Sequence, residues 1–213
     1  MKQSINTDNK SALEFNQEIS KLLQQLCTPL FPYGVKYFTY SRTFKDGKKL
    51  YISNNHEWVK LYVKNSFQDD IDHLDHYLPP PDIKRALWTG FKRDKVFDAA
   101  YNYNCWNGFS LYEHHKNYVD LFDFFSDREP QNIENFYINN IFFLECFINE
   151  FKKFKKKISK ITDLTDESKF IFPKKYPLVN IHESFPSPNE DKIKKFYKDV
   201  NLLSNKHIFL DKN

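Results

Sequence analysis

The strongest local signal in this 213-residue chain is a tight hairpin turn. The dipeptide Asp46-Gly47 lies between two runs of β-branched and aromatic residues, VKYFTYSRTF before it and KKLYISN after it. An Asp-Gly pair tolerates the positive backbone angles of a two-residue turn, and the flanking residue types favour strands. The sequence therefore predicts that the two runs pair in antiparallel fashion and that a sheet is central to the fold.

Three further segments complete the predicted sheet, and two helical segments lie among them. GFSLYEHH at 108–115 and NYVDLFDFF at 117–125, joined through Lys116, predict a second antiparallel hairpin. RALWTGF at 85–91 predicts another strand, while NHEWVKLYVKNSF and KVFDAAYNYN have helical character. Because hairpins join most of these strands, we predict an α+β fold, a PAS-like α-β-α sandwich whose mainly antiparallel five-stranded sheet is flanked by helices.

Helices are also predicted at both ends of the sheet-forming region. Ser11 followed by Glu14 fits a capping box, so we expect the first helix to begin at Ser11. Apolar residues at helical spacing continue from Gln131 to about Ile161 and predict one long helix. These limits place the folded domain at residues 11–162.

The remainder of the chain, residues 163–213, has a different composition. Its first part contains Pro173, Pro177, Pro186 and Pro188 within a short span, and proline interrupts both helices and central strands. We interpret this part as a Pro-rich linker, followed by one short helix around 190–203.

The overall composition narrows the class of protein. Aromatic residues make up 18% of the chain, which is too much core-forming surface for a disordered protein despite a mean hydropathy of -0.69. A net charge of +4 is weak support for a nucleic-acid partner. Three widely spaced cysteines indicate reduced thiols, and neither a signal peptide nor a membrane span is recognisable. We therefore predict a cytoplasmic protein with no membrane partner.

Trp58 and Tyr62 are the most informative pair of side chains for function. Four residues apart, they share one face of the predicted helix. Asp70 follows in an acidic run, and a second indole, Trp88, comes after the prolines at 79–81. Aromatic walls with a few fixed polar groups are typical of small-molecule sites, although such pairs are more often packed in a core. The pattern leaves a ligand pocket and plain core packing both open.

The order of these residues resembles the N-terminal autoinducer-binding, PAS-like sensor domain of LuxR-type transcriptional regulators. The similarity spans roughly residues 11–160. It consists of the W-x-x-x-Y pattern after the first hairpin, an acidic position, the indole after the proline turn and the glycine of CWNGFSL: Trp58, Tyr62, Asp70, Trp88 and Gly108.

The resemblance implies that residues 11–162 sense a small-molecule signal and that these five residues bind it. It implies that the Trp58 indole donates to a ligand carbonyl and that Asp70 accepts from a ligand amide. Tyr62 and Trp88 are expected to pack the ligand, and Gly108 to let the backbone approach it. The resemblance also implies a homodimer, and contact with DNA only through a helix-turn-helix domain that this sequence lacks.

The identity of the ligand stays open. Asn54 stands where many acyl-homoserine-lactone receptors of the family carry a tyrosine, and the proline that usually follows the aspartate is missing. Another small amphiphile, or no ligand, is compatible with this pattern. The alternative function is a ligand-free PAS-like module for protein interaction or dimerisation.

Other chemistries have weaker support. His73 and His76 could hold a metal on one face of a helix, but no cysteine or second cluster accompanies them, so we predict no metal and no cofactor. We also predict no enzyme, because the sequence contains neither a nucleophile elbow nor a phosphate-binding glycine loop. The lysines at 152–160 favour a solvated end of the long helix, with contact to DNA phosphates as the alternative.

Overall fold

An antiparallel sheet forms the middle layer of the computed structural model, which describes residues 7–70, 73–129, 132–161 and 171–172. The sheet order is β3-β4-β5-β1-β2-β6, and every pairing is antiparallel. The five predicted strands are present, and a two-residue sixth strand pairs with β2. The strands are β1 (Tyr37–Phe44), β2 (Lys49–Ser53), β3 (Arg85–Leu87), β4 (Trp106–His114), β5 (Tyr118–Ser126) and β6 (Ile171–Phe172).

Helices cover both faces of the sheet, so the predicted α+β sandwich is confirmed. One face packs against α1, α5 and α6, and the other packs against α2, α3 and α4. None of the described helices is long and apolar enough to cross a membrane. The helices are α1 (Thr7–Leu26), α2 (His56–Lys64), α3 (Leu74–Tyr77), α4 (Lys95–Asn102), α5 (Ile133–Asn139) and α6 (Ile141–Ile161).

Both predicted hairpins are confirmed. β1 and β2 are joined around Gly47, whose φ of 86° lies in the left-handed region that glycine adopts without strain. The Asp46 carboxylate accepts a hydrogen bond from the Lys48 N–H at 3.1 Å and closes the turn. β4 and β5 pair along most of their length, with a bulge between Trp106 and Phe109.

Strand β5 supplies side chains alternately to two separate cores. Phe122 and Phe124 face the core under α6, where the rings of Phe147 and Phe151 meet them. Leu121, Asp123 and Phe125 point to the other face, toward α2, α3 and α4. This alternation is the two-residue period of a strand that is buried on both sides.

The helix predicted from Ser11 begins at Thr7, so the capping-box interpretation of Ser11 is wrong. Serine inside a helix is only mildly unfavourable, so a helix can continue through this position. The helix therefore extends one turn beyond the candidate cap.

The single long helix predicted from Gln131 to Ile161 is also wrong, because the chain breaks at Asn140. This residue has φ −125° and ψ 35°, which separates α5 from α6. Its side-chain Nδ2 donates to the Phe136 carbonyl at 2.9 Å and so competes for an acceptor that the helix uses. Asparagine side chains commonly disturb helices in this way.

Two other segments differ from their predicted form. The strand predicted over 85–91 ends at Leu87, and Trp88–Gly90 form a 3-10 turn that carries the indole off the strand. Ile171–Phe172, predicted as part of a linker, pair with β2. The helix predicted around 190–203 lies outside the described residues.

Candidate functional site

A small cavity lies between the sheet and the layer of α2, α3 and α4. Its volume is about 20 Å³, which is room for about one water molecule. Trp58, Tyr62 and Trp88 line it, as the sequence analysis expected. Aromatic, aliphatic, histidine and carboxylate side chains from the three helices, the residue before α3, β2 and β5 complete the lining.

Helix α2 delivers Trp58 and Tyr62 to this cavity. Asn55 caps the helix by accepting the Trp58 backbone N–H at 3.1 Å, and the next turn places both rings on the buried face. The Trp58 indole Nε1 donates to the Tyr51 hydroxyl at 3.0 Å. The Tyr62 ring stacks on Tyr51 at 4.9 Å, and its hydroxyl lies 2.7 Å from that of Tyr77.

The three tyrosine hydroxyls of this group stay protonated. Burial, reinforced by neighbouring acidic groups, raises the pKa of Tyr51, Tyr62 and Tyr77 well above the ordinary range. Each of them therefore keeps an O–H that can donate. They contribute hydrogen-bonding capacity without adding charge to the cavity.

Trp88 reaches the cavity from the 3-10 turn that follows β3. Its ring stacks on Phe125 at 5.1 Å, and its Nε1 donates to the Ser110 hydroxyl at 3.1 Å. Gly108 lies directly against this indole: a Cβ at that position would be 2.1 Å from the Trp88 Cδ2 atom. Gly108 therefore admits the indole and does not line the cavity itself.

Asp70 lies outside the cavity. It follows the 3-10 turn at Phe67–Asp69, its side chain is almost fully buried, and its Oδ2 is 3.0 Å from the Lys95 Nζ. That ion pair links the segment after α2 to the first turn of α4. Of the five expected residues, the structure thus places three at the cavity: Trp58, Tyr62 and Trp88. Gly108 lies behind Trp88, and Asp70 lies away from the cavity.

The carboxylate that does line the cavity is Asp123, which the sequence analysis missed. The Ser110 hydroxyl donates to Asp123 Oδ1 at 2.6 Å, and His76 Nε2 lies 3.4 Å from Oδ2. A signal for Asp123 was present: an aspartate that alternates with Leu121 and Phe125 in a buried strand goes against the residue preferences of strands.

A row of polar side chains crosses the sheet beneath the cavity. Ser110, Asp123, Thr39 and Ser53 are lateral neighbours on β4, β5, β1 and β2. Besides the bond from Ser110 to Asp123, the Thr39 hydroxyl donates to Ser53 Oγ at 3.0 Å. All four side chains are buried, so this polar row belongs to the interior of the protein.

His73 links α3 to the beginning of α4. Its Nδ1 lies 2.6 Å from Asp94 Oδ2, while Asp94 Oδ1 caps α4 by accepting from the Val96 and Phe97 N–H groups. Burial lowers the pKa of His73 to about 4, although Asp94 opposes that shift. Burial alone would raise the pKa of Asp94, but the hydrogen bond from His73 and the helix N–H groups hold it below its ordinary value. The geometry fits a neutral His73 that donates to ionised Asp94.

His76 is the second buried imidazole and lies beside the first, with ring centroids 5.0 Å apart. Aromatic rings of Trp88, Phe91 and Phe97 surround it at 5.2–5.9 Å. Its Nδ1 atom has no hydrogen-bond partner among the described residues. The spacing of His73 and His76 in the sequence suggested only a metal-binding role for His76.

A buried cation completes the polar set. Lys49 on β2 is 3% exposed, and its Nζ lies 3.6 Å from the centre of the Tyr77 ring. Cation–π contacts of this kind are strongest when desolvated. Lys49 therefore places positive charge against α3.

A different group, at the end of the β4–β5 hairpin, has the spacing of metal ligands: Glu113, His115 and Asp120. Two cations already engage its carboxylates. Arg42 donates to Asp120 at 2.7 and 2.9 Å, and Lys152 lies 2.6 Å from Glu113. These pairs compete with a metal ion, so the group carries no metal assignment.

The lysines of α6 are partly engaged with the protein. Lys152 donates to Glu113, Lys153 to Glu150 and Lys155 to the Tyr40 hydroxyl. The side chains at 157–160 lie outside the described part of the chain. Three of the described lysines thus pair with side chains of this same protein, while the expectation of a solvated helix end stays a prediction.

No protein-family model matches this chain, and no curated protein matches it. Solved structures do match. The N-acylhomoserine-lactone-dependent LuxR-family transcription factor CepR2 from Burkholderia cenocepacia is 15% identical, with a TM-score of 0.42, over 57% of this chain and 80% of that one.

Two structures of SdiA also match. SdiA in complex with octanoyl-rac-glycerol is 13% identical, with a TM-score of 0.38, over 62% of this chain and 58% of that one. Escherichia coli SdiA is 15% identical, with a TM-score of 0.36, over 61% and 52%. The chain thus spans little more than half of these SdiA chains.

Proposed function

We propose that residues 11–162 form the small-molecule-sensing domain of a LuxR-type transcriptional regulator. The observation that supports this most is the concentration of buried polar groups on one face of the sheet. Asp123, His76 and Lys49 lie there among aromatic rings. The opposite face is lined mainly by apolar side chains, and its buried ion pair, Arg42 with Asp120, lies at the hairpin end of the sheet.

This asymmetry has no explanation in stability alone. Burying a polar or charged group is unfavourable unless it is fully paired, and replacing buried ion pairs by apolar residues is often neutral or stabilising. The face under α6 shows that this sheet can be buried with apolar residues. Buried polar groups gathered at one cavity are typical of binding sites, where they orient a ligand.

The expected site residues divide into three roles in this proposal. Trp58, Tyr62 and Trp88 contact the ligand, because they line the cavity. Gly108 acts indirectly by leaving space for Trp88. Asp70 positions α2 against α4 through Lys95 rather than accepting from the ligand.

Helix α3 is the element that we expect to move when a ligand enters. It is a single turn of four residues and carries His76 and Tyr77 into the lining. Short elements with few backbone hydrogen bonds open at low free-energy cost. A shift of α3 that keeps the contact between His76 and Asp123 enlarges a cavity of about 20 Å³ without unfolding the sheet.

Strand β5 provides a route from the cavity to α6. Asp123 faces the cavity, and its neighbours Phe122 and Phe124 contact Phe151 and Phe147 on α6. A ligand that binds the folded state stabilises it over the unfolded state and shifts populations among folded conformations. We propose that repositioning of α6 transmits this shift.

An acyl-homoserine lactone is not the ligand that we propose. Asn54, at the position of the missing tyrosine, accepts from the Phe38 N–H and donates to the Lys36 carbonyl and Gln24, so it is tied to the end of the sheet. The Trp58 indole is already bonded to Tyr51. Another small amphiphile fits these observations better.

The proposal is tested by thermal-shift titration with a panel of fatty alcohols, monoacylglycerols and N-acyl-homoserine lactones. We expect at least one member to raise Tm in a concentration-dependent manner. Trp58→Ala is expected to abolish that shift, whereas Ile148→Ala, a substitution in the apolar core under α6, is expected to keep it. A shift that survives Trp58→Ala excludes this cavity as the site.

The second candidate function is a ligand-free PAS-like interaction module, and the small cavity volume favours it. Rings that fill their own cavity give a rigid domain suited to binding other proteins. In that case no panel member shifts Tm. Filling the cavity with Val96→Ile would then leave partner binding intact.

We also propose that the domain is a cytoplasmic homodimer without catalytic activity, and that DNA is contacted only through a separate helix-turn-helix domain. Support for dimerisation comes from exposed aromatic residues near the α5–α6 break. Phe142 is 78% exposed, and Tyr33 is 53% exposed while stacking on Phe136. Isolated exposed rings are ordinary, but an aromatic patch commonly marks an interface. Sedimentation equilibrium of Phe142→Lys tests this assignment.

A further inference from the structure

We infer that the ligand of this cavity is an uncharged molecule with an apolar body and one hydrogen-bond donor, an O–H or N–H, which it gives to His76 Nδ1. This inference rests on the proposed sensing function and names the chemistry of its ligand. Its basis is the cavity-lining residue His76, whose Nδ1 atom is buried without a hydrogen-bond partner among the described residues.

The chain of hydrogen bonds beneath the cavity assigns the donor role of His76 to its Nε2 atom. The Trp88 indole can only donate, so the Ser110 oxygen accepts from it and the Ser110 O–H points to Asp123. Asp123 is thus an acceptor. His76 Nε2, at 3.4 Å from Oδ2, is then the donor on the imidazole.

A neutral imidazole that donates through Nε2 presents a lone pair at Nδ1. That atom is buried on a side chain 4% exposed and has no hydrogen-bond partner among the described residues. Leaving a buried acceptor unsatisfied is costly, so a ligand that satisfies it gains affinity. The complementary group is a donor.

The surroundings of His76 exclude a charged head group on the ligand. An anion would face Asp123, a carboxylate on the same side of the sheet. A cation would find both Asp123 oxygens already bonded to Ser110 and His76, with the Lys49 ammonium held nearby on the Tyr77 ring. The aromatic walls, by contrast, suit an apolar body.

Isosteric probe pairs test this chemistry. Phenol and toluene share a shape but only phenol donates, and indole and benzofuran form a second such pair. We expect phenol and indole to bind about fivefold to tenfold more tightly than their partners, as measured by shifts of the amide NMR signals of α3 and α4. Equal affinities within both pairs would overturn the inference, and so would failure of all four probes while a panel amphiphile binds.

Two substitutions of His76 separate its nitrogens. The side chain in His76→Asn places a polar atom near the Nδ1 position, whereas His76→Gln places one near Nε2. We expect His76→Gln to abolish the preference for phenol over toluene and His76→Asn to retain part of it. The reverse order would contradict the inference, and a loss of folding in either variant would be visible in the amide spectrum.

The tautomer is measurable without any ligand. The imidazole ¹⁵N shifts of His76 in the free protein are expected to show a proton on Nε2 and a lone pair on Nδ1. A protonated Nδ1 would overturn the inference. If neither the panel nor the probes bind while the tautomer is as expected, the sensing function itself fails.

Discussion

The indole Nε1 of Trp58 donates its hydrogen bond to the Tyr51 hydroxyl, 3.0 Å away, inside the protein. The resemblance to LuxR-type sensors implies that this donor serves a ligand carbonyl. An indole has one N–H and no acceptor, so the two bonds exclude each other. A ligand carbonyl can reach Trp58 only by displacing Tyr51.

We expect Tyr51 and Trp58 to be energetically coupled. Tyr51→Phe leaves the buried indole N–H unpaired and should lower the free energy of unfolding by about 1–3 kcal/mol. Trp58→Phe loses the same bond together with packing. In a double-mutant cycle followed by urea unfolding, the double variant should cost less than the sum of the single ones. Additive effects would show that the hydrogen bond contributes nothing.

Gly108→Ala should displace the Trp88 indole. The added methyl carbon would lie 2.1 Å from the ring, well inside contact distance. Overpacking of this kind costs about 1–3 kcal/mol. The prediction is checked by urea unfolding and by a change in tryptophan fluorescence. Combining it with Trp88→Leu removes the ring that it strikes, so most of the added cost should vanish; an undiminished cost would point to the backbone instead.

Stability should fall as the pH drops from about 6.5 toward 4. His73 is neutral in the folded protein, with a pKa of about 4, but takes up a proton near its ordinary pKa of 6.5 when unfolded. The unfolded state therefore binds more protons in this window, and the loss amounts to about 3 kcal/mol. Asp94, whose pKa is lowered, adds a further loss only below its ordinary value of 3.8.

Urea unfolding at several pH values measures this slope. His73→Asn keeps a side-chain donor for Asp94 but does not titrate, so the slope between pH 6.5 and 4 should flatten. The control is Ile148→Ala in the apolar core under α6, which removes no titrating group and should keep the slope. The assignment fails if both variants behave alike.

The ion pair of Arg42 and Asp120 should contribute far more to the free energy of unfolding than the ion pairs on the surface do. Asp120 accepts two hydrogen bonds from Arg42 and one from the Tyr40 hydroxyl, and both members of the pair are largely buried. Asp120→Ala leaves a buried guanidinium without its partner and should destabilise the fold by about 3 kcal/mol. Glu57→Ala, which breaks an exposed pair with Lys60, should leave the free energy of unfolding almost unchanged. Chemical denaturation of the two variants makes the comparison.

Local signals in the sequence predicted the elements that local chemistry determines. Asp46-Gly47 predicted the first hairpin, and the spacing of Trp58 and Tyr62 predicted the buried face of α2. The failures were also local in origin. The side chain of Asn140 competes for a helix acceptor, which hydrophobic periodicity does not register.

The polar part of the site was harder to predict because it depends on distant pairings. Ser110 and Asp123 meet only because β4 and β5 pair in one particular register, and His76 joins them from 47 residues away. Asp70 was predicted to bind the ligand because of its position along the sequence, but in the fold its carboxylate pairs with Lys95. Spacing along a sequence describes one element well and says little about what lies opposite it.

The polar row across β4, β5, β1 and β2 also favours one pairing register of those strands. A slip of one residue in β5 would turn Asp123 into the apolar core and bring Phe124 under the cavity. A misaligned sheet is therefore destabilised in two ways. A carboxylate is buried without its partners, and the chain of hydrogen bonds across the strands is lost. Insertions and deletions of single residues in these strands should therefore be far less tolerated than substitutions at the same positions.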